Sequence, residues 1–249
     1  MIKNYIVLTL SIIFLVSCGG SEALAPTSTV EPTLVESTLS PTPEVTMTPE
    51  TFDFPEITFD GMKDPYGIAI NSLGNLYVTD AGKGRVLVFD AQGNLLSTWD
   101  KQGSGDGEFK SMGFGGLAID SNDNVFVVDN GNFRIQKFDR DGNYITQWGS
   151  EGTGDSQFVR VIGIATDTDG NVYVTDDGNP FVQKFDNDGN FIIKFGAQGN
   201  GDGQFSHATG IAVDLQGNIF VADYELKRVQ KFDSAGNFIT AWKMGDDIG

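Results

Sequence analysis

Residues 170–191 read GNVYVTDDGNPFVQKFDNDGNF, and this phrase decides the fold because the chain contains four close copies of it. The other copies span residues 74–95, 123–144 and 217–238. Four residue classes keep one register, with intervals of 49, 47 and 47 residues. They are Asn75, Asn124, Asn171 and Asn218; Asp80, Asp129, Asp176 and Asp223; Phe89, Phe138, Phe185 and Phe232; and Trp99, Trp148, Phe195 and Trp242. A repeat of this period indicates a propeller or an array.

Within each repeat, the alternation of apolar and polar residues predicts four strands. In the last repeat they are expected at 210–213, 218–223, 228–233 and 237–242. Gly-Asn pairs lie between strands, and both residues tolerate the positive φ of tight hairpin turns. A sheet this small cannot bury both of its faces alone, so it must stack on a copy of itself.

The sequence therefore predicts an all-β fold, a β-propeller built from four-stranded antiparallel blades. The phenylalanine that ends each third strand and the aromatic residue that ends each fourth strand are expected to pack between neighbouring blades.

The composition limits the kinds of partner that the protein can bind. The chain has 249 residues, 34 acidic against 16 basic, and a formal net charge of -18. Affinity for nucleic acid depends on Lys and Arg neutralising phosphates, so we expect no nucleic-acid partner. The negative surface favours solubility and leaves a cationic ligand or a metal ion open.

The first 17 residues have the form of a secretory signal, with Lys3 ahead of an apolar run from Tyr5 to Val16. The run ends in LVSC at residues 15–18, which resembles the lipobox of bacterial lipoproteins. That resemblance implies cleavage before Cys18 and lipidation of its sulfur. We therefore expect a protein anchored in the cell membrane and facing the extracytoplasmic side, either periplasm or cell surface; simple secretion is the alternative.

Residues 18–53 are rich in Thr, Pro, Ser and Glu. Such a segment cannot bury enough apolar surface to offset the cost of ordering its backbone. The sequence predicts a disordered tether that holds a folded domain, residues 54–249, away from the membrane.

The folded part also resembles a known family. Residues 210–242, GIAVDLQGNIFVADYELKRVQKFDSAGNFITAW, are similar to an NHL repeat, and the likeness runs from residue 60 to about residue 245. The resemblance implies a β-propeller, usually of six blades, in a family that includes sensors, protein-interaction scaffolds and a few lyases. Repeat three departs from the pattern, because Phe181 stands where the other repeats have Arg85, Arg134 and Arg228.

Four repeats are present, at about 60–109, 110–158, 159–205 and 206–249. Residues 54–59, FPEITF, read as a lone strand ahead of the first repeat. The hypothesis that follows is an incomplete six-bladed ring, the first part of a longer propeller. A closed four-bladed ring and an arc completed by a second copy are its rivals.

Two kinds of loop resemble ligand sites. The glycine-rich stretches 103–109, 152–158 and 199–205 resemble phosphate loops, but strands flank them rather than a helix, which favours crossovers between blades. The acidic stretches 139–143, 167–171 and 186–190 resemble parts of calcium loops, but none ends in the distant bidentate acid that such a loop requires. Asp and Asn also stabilise turns directly. We expect no cofactor, with Ca²⁺ as the alternative.

Two further sets of chemical groups are candidates for a site. Asp80, Asp129, Asp176 and Asp223 end the second strands, where they are expected to cap the turn or pair with the following arginine, with metal binding as the alternative. His207 is the only histidine and Cys18 the only cysteine, so the chain lacks the usual zinc ligands, which argues against the metal-dependent amidating lyases of the family. His207 could still act as a general base, as in the streptogramin lyases that resemble this fold more distantly.

Comparison among the repeats indicates where binding occurs. The Gly-Asn turns vary little, whereas the loops between second and third strands and the approaches to the first strands differ freely. Propeller geometry places the two variable sets on one rim, and loops on a rigid scaffold are where binding usually lies. The sequence predicts a binding or interaction scaffold for a protein, peptide or glycan, with a lyase or lactone hydrolase that uses His207 and a nearby acid as the alternative. The candidate rim residues are Tyr66, Phe114, Phe133, Arg160, His207, Tyr224 and Lys227.

Overall fold

The computed structural model describes residues 61–110, 112–113 and 115–243, all within one compact unit, Phe54–Gly249. The signal segment, Cys18, the tether, the predicted strand at 54–59 and Phe114 lie outside the described residues. None of the described segments forms a helix long and apolar enough to cross a membrane.

The described residues form four sheets of four antiparallel strands each, one sheet per repeat, with the strands of each sheet in chain order. The prediction of four-stranded blades is therefore confirmed. Blade 1 contains β1 (Pro65–Ile70), β2 (Leu76–Asp80), β3 (Arg85–Phe89) and β4 (Leu95–Trp99). Blade 2 contains β5 (Leu117–Ile119), β6 (Val125–Asp129), β7 (Arg134–Phe138) and β8 (Tyr144–Trp148), with a 3-10 turn at Asn130–Asn132.

A short parallel pair, β9 (Ser150–Glu151) and β10 (Gln157–Phe158), connects blade 2 to blade 3. Blade 3 contains β11 (Val161–Thr166), β12 (Val172–Asp176), β13 (Asn179–Phe185) and β14 (Phe191–Phe195). Blade 4 contains β15 (Ala208–Val213), β16 (Ile219–Asp223), β17 (Arg228–Phe232) and β18 (Phe238–Lys243). The inner strands β1, β5, β11 and β15 contact one another in that order.

The hairpin turns share one hydrogen-bonding design. In the last of them, Asp233 Oδ1 accepts the backbone N–H groups of Ala235 at 3.0 Å and Asn237 at 2.8 Å, and Oδ2 accepts the side-chain amide of Asn237 at 2.9 Å. The seven Gly-Asn turns place their glycine at φ between 78° and 87°, where a side chain would be strained. The calcium-like stretches belong to this set, so the carboxylates of Asp139, Asp167 and Asp186 are engaged within their own turns.

These turns make stability depend on pH. The hydrogen bond from the paired asparagine side chain holds the pKa of Asp90, Asp214 and Asp233 below its ordinary value. A folded-state pKa below the unfolded one contributes stability above the unfolded value, about 3.9, and loses it as pH falls through the folded pKa. We expect the free energy of unfolding, measured with urea, to fall steadily from about pH 5 to about pH 2.

The Asp233→Ala variant serves as the control for this dependence. It should be less stable than the native chain at neutral pH. The difference should shrink in acid, because protonation of Asp233 in the native chain removes the stabilisation that the variant already lacks. A difference that grew as pH fell would contradict the assignment.

Aromatic side chains pack between the blades as predicted. The ring of Trp148, which ends β8, lies 5.7 Å from that of Phe185 in blade 3. A Cβ built on Gly189, in the β13–β14 turn, would fall 2.4 Å from Trp148, so the glycine gives the indole its room. Trp99 with Gly142 and Phe195 with Gly236 repeat this contact at the other two blade junctions.

Hydrogen bonds also join the second strand of one blade to the inner strand of the next. Thr175 Oγ1, at the end of β12, donates to the carbonyl of Thr209 in blade 4 at 2.5 Å and accepts the N–H of Gly163 at 3.0 Å. A Cβ on Gly163 would meet the same Thr209 carbonyl at 2.5 Å. A glycine and a small polar residue are therefore needed where two blades approach closely.

The glycine-rich stretches are crossovers between blades, and the following blade holds each of them. Arg134 donates to the carbonyls of Ser104, Gly105 and Glu108 in the crossover before blade 2. Arg228 makes the equivalent three bonds in the crossover before blade 4, to the carbonyls of Asn200, Gly201 and Gln204. Gln136, Gln183 and Gln230 each add two bonds to the preceding crossover. In repeat three, where Phe181 replaces the arginine, Lys194 lies over its ring and bonds Asp155 at 2.7 Å.

Blade 4 has one face that none of the described residues covers in this way. Trp242 occupies the position of Trp148, yet it is 50% exposed where Trp148 is 9% exposed. A Cβ built on Gly210 would meet only Ala222 of the same blade, at 3.9 Å. This open flank is consistent with an incomplete ring.

Candidate binding rim

Strand register brings the two variable sets of loops to one rim. In blades 1, 3 and 4, the first residue of the inner strand pairs with the aspartate that ends the second strand, as Pro65 does with Asp80, Val161 with Asp176 and Ala208 with Asp223. The approach to the first strand and the loop after the second strand therefore lie side by side. Eight hairpin turns, six of which read Asp-x-x-Gly-Asn, close the other ends of the strands. We call the first edge the variable rim and the second the turn rim.

The buried aspartates hold the approach segments by their backbone. Asp223 accepts the N–H groups of Ser206 at 2.8 Å and His207 at 3.2 Å, and Asp176 accepts that of Arg160 at 2.8 Å. Asp80 and Asp129 do the same for their own blades and also pair with Arg85 and Arg134 at 3.0 and 2.9 Å. These four carboxylates thus fix the path of the backbone along the rim. In the described part of the chain, no group of three His, Cys, Asp or Glu side chains is placed to hold a metal ion.

The candidate residues take different positions on this rim. Tyr66 and Tyr224 are exposed, and Phe133 is half-buried. Phe133 and Lys227 both adopt a positive φ, of 54° and 47°, immediately before the third strands of blades 2 and 4. Arg160 and His207 lie together at the junction of blades 3 and 4.

A charged cluster forms at that junction around Asp177, whose side chain is only 7% exposed. Its Oδ2 pairs with Arg160 Nη2, and its Oδ1 lies 3.4 Å from His207 Nε2. The N–H of Asp177 also donates to the carbonyl of Arg160 at 2.9 Å, so the carboxylate and the guanidinium are fixed at both backbone and side chain. Arg160 and His207 remain about half exposed, at 53% and 46%.

Sequence reasoning named Arg160 and His207 but missed Asp177. The residue after the buried aspartate is Ala81, Asn130, Asp177 and Tyr224 in the four blades. In blade 2 it joins the next blade, since Asn130 bonds both the N–H and the carbonyl of Val161, at 2.9 and 2.8 Å. Asp177 makes the corresponding link to blade 4 through a side chain, and that shared position was the signal available in the sequence.

The cluster has a definite chemistry. A carboxylate beside Nε2 favours the tautomer that carries its proton there, which leaves Nδ1 of a neutral His207 as a hydrogen-bond acceptor. The guanidinium of Arg160 supplies donors in the flat fork that matches an anionic oxygen pair. An acceptor and a cationic donor thus stand on one exposed surface, with a buried carboxylate behind both.

The comparisons agree with this architecture. A family model described as a 6-bladed beta-propeller matches residues 62–147 and 152–248, so the chain belongs to that family. No curated protein matches the chain.

Solved structures show the same fold at low identity. A streptogramin B lyase is 14% identical, with a TM-score of 0.60 over 76% of this chain and 57% of its own. A catalytically inactive virginiamycin B lyase from Staphylococcus aureus, with quinupristin, is 14% identical, with a TM-score of 0.57 over 76% of this chain and 58% of its own. The hydrazine synthase of Kuenenia stuttgartiensis is 12% identical, with a TM-score of 0.53 over 75% of this chain and 50% of its own. The chain thus spans less than three fifths of the length of these proteins.

Proposed function

We propose that this propeller is a membrane-anchored extracytoplasmic binding scaffold that holds its partner on the variable rim. The observation that supports this best is the Arg160–Asp177–His207 cluster, where two exposed polar side chains lie against one buried carboxylate. Their backbone is fixed in turn by Asp176 and Asp223. Groups held in this way lose little freedom on binding, which favours affinity.

A binding assay with rim variants tests the scaffold role. The full-length chain is applied to a panel of extracytoplasmic glycans and peptides, and the ligand it retains is titrated against the Arg160→Ala/His207→Ala double variant. We expect binding to weaken about tenfold or more, since hydrogen bonds to charged groups are the strong ones. Arg140→Ala, on the turn rim, removes the same charge and should leave affinity unchanged; the reverse order of effects would refute the rim assignment.

The anchor is tested separately from the rim. Lipidation at Cys18 predicts that the protein sediments with membranes and that the mature N-terminus carries acyl chains by mass spectrometry. Cys18→Ala should appear in the soluble fraction. A native chain found soluble and unacylated would leave simple secretion as the explanation.

The His207–Asp177 contact favours one second candidate, a lyase in which His207 Nδ1 removes a proton and Asp177 orients the ring. The two lyases among the structural neighbours make quinupristin the natural probe. Loss of quinupristin on incubation with the native chain, abolished by His207→Ala and reduced by Asp177→Asn, would establish the enzyme. No turnover by the native chain would leave the scaffold.

A further inference from the structure

We propose that the rim between blades 3 and 4 binds an acidic sugar, a unit with a carboxylate and a neighbouring hydroxyl, within an extracytoplasmic polysaccharide. The inference rests on the proposed binding function and gives the ligand of that site its chemistry. Four features of the junction carry it.

The first feature is the unsatisfied part of the guanidinium. Arg160 uses one N–H of Nη2 for Asp177, and its Nε and Nη1 have no hydrogen-bond partner among the residues that the structure describes. The second N–H of Nη2 and the nitrogen beside it therefore form an open fork. The side chain is 53% exposed while its carboxylate partner is buried, so a ligand can reach the fork without displacing Asp177. A carboxylate is the group that such a fork accepts most specifically.

The second feature is the acceptor next to it. With Nε2 facing Asp177, neutral His207 offers Nδ1 to a ligand O–H. A ligand that satisfies both side chains therefore carries an anionic oxygen pair and a hydroxyl close together. The uronic acids have this arrangement, whereas the side chain of a glutamate has the carboxylate without the hydroxyl.

The third feature is an aromatic surface beside the polar pair. The N–H of Tyr224 donates to the carbonyl of His207 at 3.1 Å, and the Tyr224 side chain is 75% exposed. The negative face of an aromatic ring attracts the positive C–H edge of another group, and a sugar ring presents such edges on one side. Tyr224, which is bonded to His207 through the backbone, thus offers an exposed aromatic ring to the apolar face of a pyranose.

The fourth feature is the distribution of charge. The eight hairpin turns of the turn rim hold 11 acidic residues and one basic residue, Arg140. The remainder of residues 61–249 holds 15 acidic and 14 basic residues, so it is nearly neutral. A polyanion is therefore repelled more strongly from the turn rim than from the other surfaces of the domain, to which the variable rim belongs.

Calorimetry with matched ligands tests the proposal. The full-length chain in detergent is titrated with tetragalacturonate, with neutral tetragalactose and with tetraglutamate. We expect tetragalacturonate to bind about tenfold or more tightly than either of the others, because only it supplies both the carboxylate and the hydroxyl. Arg160→Lys, which keeps the charge but loses the fork, and His207→Ala should each weaken that binding about tenfold.

Lys110→Ala is the matched control, because it removes one exposed positive charge from the approach segment of blade 2. It should change affinity less than twofold, and an effect as large as that of Arg160→Lys would reduce the interaction to general charge and overturn the proposal. Equal affinity for tetraglutamate, or no binding of tetragalacturonate, would overturn it as well. If a different ligand bound and its affinity depended on Arg160 and His207, the proposed scaffold function would stand without the acidic sugar. If its affinity depended on neither residue, the scaffold function proposed for this rim would fail as well.

Discussion

Replacing Trp148 by alanine should destabilise the protein by about 3–5 kcal/mol, the loss typical of a large aromatic side chain removed from a core. Trp148 is 9% exposed and contacts Phe126 of its own blade and Phe185 of the next, with ring centroids 6.1 and 5.7 Å away. Gly189 lies directly against the indole, so the cavity would open between two blades. Urea denaturation of the native chain and the variant measures the loss.

Trp242→Ala is the matched control, since Trp242 ends the fourth strand of blade 4 just as Trp148 ends that of blade 2. It stacks on Phe220 at 6.1 Å but is 50% exposed, so its removal should cost about 1 kcal/mol or less. Equal losses at the two positions would show that the aromatic residues do not act as packing between blades.

The second large effect is expected for Asp129→Asn. The Asp129 carboxylate is fully buried, and its Oδ2 accepts bonds from Arg134 Nε at 2.9 Å and from the Asn132 amide at 2.8 Å. Because Arg134 is itself buried, the change leaves a cation without its counter-charge, and breaking such a pair costs about 3–5 kcal/mol. The crossover that Arg134 holds, at Ser104, Gly105 and Glu108, should loosen with it, visible as faster amide exchange there.

Asp176→Asn provides the comparison, because repeat three has no arginine at the corresponding position. Asp176 accepts only uncharged donors, from Val159, Arg160, Gly178 and Asn179. Asparagine at this position loses some of these bonds but leaves no buried charge unpaired. We therefore expect the free energy of unfolding to fall by about 1–3 kcal/mol. A larger loss at Asp176 than at Asp129 would contradict the role given to the ion pair.

The sequence was sufficient to predict the fold because four repeats carry the same pattern of alternating apolar and polar residues and the same turn residues. The predicted strands of repeat four begin and end within two residues of β15, β16, β17 and β18. The Asp and Gly-Asn positions of the turns follow from local rules, since each turn satisfies its own hydrogen bonds. The packing of Trp148 and its equivalents followed from the need of each sheet to cover the next.

Contacts between repeats could not be predicted in the same way. Lys137 sits at an alternating position of β7, yet its ammonium is buried and donates to the carbonyl of Asn187 in the next blade at 3.0 Å. In the sequence, Asp177 resembles the other acidic residues found in turns. Only the packing of blade 3 against blade 4 brings Arg160 and His207 to its carboxylate. Both depend on how two blades meet, which no single repeat encodes.

The closing aromatic residues of blades 1, 2 and 3 each stack under a glycine of the next blade, and proton NMR of the glycine α-protons tests this packing most directly. Gly142, Gly189 and Gly236 lie against Trp99, Trp148 and Phe195, whereas Gly74, Gly170 and Gly217 have the same positive φ without a ring beside them. We predict strong ring-current shifts, with cross-peaks to the named rings, for the first three glycines and ordinary shifts for the others. Ordinary shifts at all six glycines, with no such cross-peaks, would contradict the account.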